Sequence, residues 1–211
     1  MSLNRLGRLT AAALLSVSLV SAPAFALTAE ESAAISSISQ QLSGVETMSG
    51  EFVQFGPSGD KTQGKFYIAR PGKVRFQYDP PATVSVIADG KSVLVFDKKL
   101  QTYDIWPLSQ TPLRLLLDRD LDLANSDRVT GVSAEPDLIQ VTLRDDTRFG
   151  GGTLTLVFDR ASSELRQWTV TDEQGLETTV ALYNVEVGAA LDSELFRINY
   201  AAATNAARER R

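Results

Sequence analysis

The chain has 211 residues, 21 basic and 26 acidic side chains, a formal net charge of −5, and neither cysteine nor histidine. The acidic balance makes it a poor binder of nucleic acid and of anionic membrane surfaces. The missing residues exclude Ser-His-Asp and Cys-His nucleophile systems, ordinary zinc sites and disulfides, leaving only an all-carboxylate site open on composition.

Residues 1–26 read as a cleaved secretory signal peptide. Arg5 and Arg8 form a positive start, Ala11 to Val20 is an apolar core too short to span a bilayer, and Ala24-Phe25-Ala26 fits a small-x-small cleavage site. Cleavage leaves 19 basic residues against the same 26 acidic ones, in one domain expected over residues 27–200. No later segment reaches the length of a transmembrane helix, and no cysteine is present to carry a lipid anchor.

Thr28 to Gly44 is predicted to be a helix. Thr28 and Glu31 make a capping box, Ile35, Ile38, Leu42 and Val45 share one face, and Gly44 is a natural stop. Met48 to Phe55 is the first predicted strand. Gly64 to Pro81 then reads as two strands around Arg70-Pro71-Gly72, with Phe66 and Ile68, then Val74, Phe76 and Tyr78, on one apolar face. Arg70 stands at a strand end as either a solvated turn residue or an inward guanidinium that must find acceptors.

Thr83 to Ala88, Val93 to Phe96 and Leu100 to Trp106 continue as strands, with Asp89-Gly90 as a hairpin turn. At Thr111-Pro112 the rhythm changes to a short helix, Leu113 to Leu117, apolar nearly all round. It is either a buried helix or a lid over a cavity. Strands resume at Arg128–Ser133, Leu138–Leu143, Thr153–Asp159, Leu165–Thr171 and Glu177–Val187. Gly150-Gly151-Gly152 reads as a flexible hairpin rather than a phosphate cradle, because a strand and not a helix follows. Asp192 to Phe196 fits one helical turn, and residues 201–211 read as a mobile charged tail.

About ten antiparallel strands with two helical insertions imply a mainly β fold: a strongly curved sheet or unclosed barrel around an apolar cavity. The face assignment gives Ile38, Leu42, Phe52, Phe66, Phe76, Val84, Val86, Phe96, Leu113, Leu116 and Leu154 as its lining; a one-residue slip reverses a strand's set. Glu51, Asp60, Asp79, Asp89 and Asp104 are the candidate carboxylates for an enzyme, mostly at turns where acids are commonplace, so no catalytic role is expected.

The order of elements and several local matches carry a resemblance over about Thr28 to Tyr200. They are Met48-Ser49-Gly50-Glu51-Phe52-Val53-Gln54; Gly64-Lys65-Phe66 running into Arg70-Pro71 and Val74-Arg75-Phe76; Pro80-Pro81; Asp89-Gly90-Lys91; and Thr111-Pro112-Leu113. On these the chain resembles the LolA-type family, the periplasmic carriers of outer-membrane lipoproteins. The resemblance implies an unclosed barrel with a helical lid over a cavity for acyl chains. It implies no cofactor and no metal, acylated lipoproteins as cargo, an inner-membrane ABC-type release complex as donor and an outer-membrane receptor as acceptor. It also implies that Arg70 locks the lid through backbone carbonyls at Leu42, Leu116 and Leu117. Two departures stand out. Val74 replaces an aromatic residue that commonly meets the release complex, and Phe196 to Tyr200 lacks the family's proline-glycine step. A carrier of another lipid, or a lipid-sensing regulator on the same fold, is the alternative.

Overall fold

Short alternating segments joined by tight turns pair most readily with their sequence neighbours, and nearly every pairing here is of that kind. The structure, a computed structural model, describes residues 27–119, 121–147 and 150–209; the expected signal peptide lies outside the described residues. The first wing runs β1 (Thr47–Phe55), β2 (Lys61–Ala69), β3 (Lys73–Tyr78), β4 (Val84–Asp89), β5 (Ser92–Asp97) and β6 (Thr102–Pro107). The second runs β7 (Val129–Ala134), β8 (Leu138–Thr147), β9 (Gly150–Asp159), β10 (Leu165–Asp172) and β11 (Glu177–Val187). One long-range pairing, β1 with β11, joins the wings into an 11-stranded antiparallel sheet ordered β6-β5-β4-β3-β2-β1-β11-β10-β9-β8-β7. Strands β6 and β7 end that order, so the sheet curves without closing.

Alternation fixes the faces. Phe66 lies opposite Phe76 and Ile68 opposite Val74, all buried on the concave side. Gly64 sits between Phe52 on β1 and Tyr78 on β3, whose rings meet edge to face at 5.1 Å. A Cβ on Gly64 would fall 2.0 Å from the Gln77 carbonyl oxygen, so this crossing admits no side chain. From the second wing, Val141, Leu143, Leu154, Leu156, Phe158 and Trp168 enter the same core.

The helix α1 (Ala29–Ser43) covers this concave face with Ile35, Ile38 and Leu42. Its N-terminus carries the predicted capping box: Thr28 Oγ1 accepts from the Glu31 amide while Glu31 accepts from the Thr28 amide. The connection from β6 to β7 forms a strap across the mouth between the two sheet edges. It holds two 3-10 turns, Leu108–Gln110 and Pro112–Leu115, and buries Leu115, Leu116, Leu117, Leu121 and Leu123. Ser39 of α1 accepts from the Ala124 amide of the strap at 3.0 Å.

Three expectations are corrected here. The inserted segment is a 3-10 turn and not an α-helix. Thr111 caps it and Pro112 starts it, but the amides bond three residues back, Arg114 to Thr111, Leu116 to Leu113 and Leu117 to Arg114, with Leu117 also reaching the Leu113 carbonyl at 3.3 Å as the segment ends. Gly150, Gly151 and Gly152 belong to β9, opposite Thr147, Asp146 and Asp145, rather than to a loop. Most of the expected mobile tail is helical: after a 3-10 turn at Ser193–Phe196, residues Tyr200–Glu209 form α2, which packs along β6 on the convex face. Ile198 is buried there against Ile87 and Leu94, and Tyr200 donates to Asp89 at 2.7 Å.

Candidate functional site

The strand β2 delivers Arg70 to the point where α1, the strap and the β2–β3 turn converge. Gly72 makes the turn possible: its φ is 76°, and a Cβ would lie 2.8 Å from the Gly90 Cα. Arg70 points inward. Its Nε donates to the Leu116 carbonyl at 3.0 Å, and Nη1 donates to the carbonyls of Leu42 at 2.9 Å and Val45 at 3.4 Å. Leu42 lies in the last turn of α1 and Val45 just past it; the Leu42 carbonyl already accepts from the Val45 amide at 3.1 Å, and Arg70 adds a charged donor where the helix end carries partial negative charge. One rigid fork thus ties helix to strap. Burial pulls the guanidinium below its ordinary pKa, and Asp118 pushes it the other way.

The Leu117 carbonyl, expected to accept from Arg70, instead accepts from the Gly72 amide at 2.8 Å. The β2–β3 turn therefore grips the strap twice, once by side chain and once by backbone. The Val45 acceptor was not among the expected residues. Its carbonyl follows the Gly44 stop, and sequence alone does not say how far past that stop the chain turns back.

A second attachment also escaped the sequence analysis. Arg114, within the strap's 3-10 turn, makes a two-pronged contact with Asp145 of β8: Nε to Oδ2 at 3.1 Å and Nη2 to Oδ1 at 2.5 Å. Asp145 has no exposed side-chain surface, and Arg128 stands 4.0 Å away. Thirty-one positions separate the partners, with no local signal joining them.

Of the expected lining residues, Ile38, Leu42, Phe52, Phe66, Phe76, Leu116 and Leu154 are brought together in the buried core, with Val86 and Leu113 packed against it. They touch one another, so the interior is in a closed state. Val84 shares the concave face by alternation but lies near its rim, half-buried. Phe96 is on the other face. It pairs with Ser85 and stacks on Tyr103 with ring centroids 4.4 Å apart, because β5 is apolar on both sides and gave no phase. Val74, expected at the surface that meets a release complex, has no exposure; it alternates with Phe76 into the core.

A curved open sheet whose apolar concave face is shut by a helix and an arginine-pinned strap defines a lidded protein with an apolar interior. The chain belongs to the LolA family, described as outer membrane lipoprotein carrier protein, whose profile matches residues 43–199. An outer-membrane lipoprotein carrier protein from Halorhodospira halophila is 28% identical over 193 residues, covering 85% of this chain and 88% of that protein. One from Pseudomonas paraeruginosa is 27% identical over 180 residues, covering 80% and 84%. Among solved structures, an uncharacterised conserved protein from Thermus thermophilus aligns at TM-score 0.46 and 13% identity, over 80% of this chain and 94% of that one.

Proposed function

We propose that the protein is a non-enzymatic periplasmic carrier that takes up the acyl chains of lipoproteins and delivers them to the outer membrane. The observation that carries the reading is the pinned lid: one guanidinium holds helix and strap closed over a packed apolar interior. Charge-assisted hydrogen bonds contribute roughly 1.5–3 kcal/mol each. Acyl burial contributes about 0.8 kcal/mol per CH₂. A few inserted methylenes therefore offset the lock, while the closed state still competes with cargo and favours release.

Cargo comes from an ABC-type release complex at the inner membrane and passes to an outer-membrane receptor. Residues 1–26 direct export and are removed, and among the described residues no helix is long and apolar enough to cross a membrane. The test is intact-mass analysis of the mature protein after incubation with membranes holding a triacylated lipoprotein. A one-to-one complex with the acylated form, absent with an unacylated control, is expected. Free fatty acid or phospholipid in the interior, with no lipoprotein complex, would overturn the reading.

A further inference from the structure

The convex face carries a second cavity, of about 700 Å³, between strands β3 to β5 and the C-terminal segment. This lies within the size range of small-molecule sites. Its floor is apolar: Ile87, Leu94, Phe96 and Tyr103. Arg75, Lys98 and Arg197 are the charged residues of the lining, and no carboxylate is among them, on a chain that is acidic as a whole. Two lining residues also hold buried polar atoms without a hydrogen-bond partner, Arg75 Nε and Ser85 Oγ.

We propose that this cavity binds a long-chain fatty acid anion, with its carboxylate toward the basic residues and its chain along the apolar floor. The floor is a sheet face and not a sheet edge, so an extended peptide finds no backbone partners there. Arg75 donates from Nη1 to the Leu195 carbonyl at 3.1 Å, which fixes its guanidinium in the cavity wall. Burial lowers its pKa, with Tyr67 opposing. Arg197 is paired with Glu194 at 3.0 Å, whereas Asp97, next to Lys98, accepts from the Lys99 and Leu100 amides and from Thr83. The C-terminal segment thus forms one wall of a site separate from the lidded interior.

The probe is a diazirine-bearing palmitate added to the mature protein, with crosslinks assigned to single residues by mass spectrometry. Labelling at Ile87, Leu94, Phe96 or Ala202 is expected. The paired changes Lys98→Gln and Arg197→Gln, both at exposed positions, should weaken palmitate binding roughly tenfold and leave 1-hexadecanol binding unchanged. Labels confined to concave residues such as Phe66, Leu116 and Leu154, or no labelling, would overturn the proposal. So would equal weakening of acid and alcohol. Lipoprotein loading is read in a separate assay, so failure here leaves the carrier reading standing.

Discussion

Replacing Arg70 by leucine removes a side chain that bonds both α1 and the strap. Its bonds to Leu116 and Leu42, at 3.0 and 2.9 Å, are the good ones; the contact to Val45 at 3.4 Å is longer and counts for little. Two charge-assisted bonds at the lower end of their range give about 3 kcal/mol, on the order of a hundredfold in the ratio of closed to open lid. The Gly72 amide reports this directly, because it donates to the strap at Leu117. Hydrogen exchange at Gly72 should accelerate by about that factor in Arg70→Leu, while amides of the β10–β11 ladder such as Val180 keep their protection. On the proposed carrier function, the closed state then competes less well with bound acyl chains, and lipoprotein release should slow. Unchanged exchange at Gly72, or equal acceleration across the whole sheet, would refute the lock.

Arg114→Met removes the two-pronged partner of the buried Asp145, leaving Arg128 at 4.0 Å, and should lower stability by up to about 3–5 kcal/mol, whereas Arg114→Met with Asp145→Leu should recover much of the loss; urea melts of both single variants and the double variant give the coupling. Gly64→Ala forces β2 away from the Gln77 carbonyl and should lower stability by roughly 1–3 kcal/mol, seen as a lower Tm. Burial raises the Tyr78 phenol to about 12, with the Gln54 hydrogen bond opposing. The folded state therefore holds this proton more tightly than the unfolded one. Stability from this group is intact below about pH 10 and falls by roughly 2–3 kcal/mol as pH rises to 12. Denaturation across that window should be flatter with pH in Tyr78→Phe.

Much of the architecture was legible because its signals are local. The capping box at Thr28 and Glu31 needs four residues, and the β2–β3 hairpin announces itself through Phe66, Ile68, Val74 and Phe76 around a tight turn. Phase was lost where alternation was lost. Val93 to Phe96 is apolar at every position, so the sequence could not say that Val93 faces the lid and Phe96 the outside. Long-range contacts were illegible for a different reason. Asp145 with Arg114, Tyr200 with Asp89 and Ile198 with Leu94 join distant segments, and the last two turn a small, charged C-terminus into a docked helix. Arg70 lies between these cases. Its turn was visible locally, its inward direction came from the family resemblance, and its partition between Leu116 and Gly72's hold on Leu117 needed coordinates.

The strap runs from one free edge of the sheet to the other, so it is fastened to both wings at once. Arg70 and Gly72 hold it to the first wing through neutral carbonyls, and Arg114 holds it to the second through a buried carboxylate. These fastenings differ in kind: each side has an arginine donor, but the acceptors are neutral carbonyls on one side and a carboxylate shut away from water on the other. The strap is therefore a bridge with unlike abutments, one at the β2–β3 turn of the first wing and one at β8 of the second.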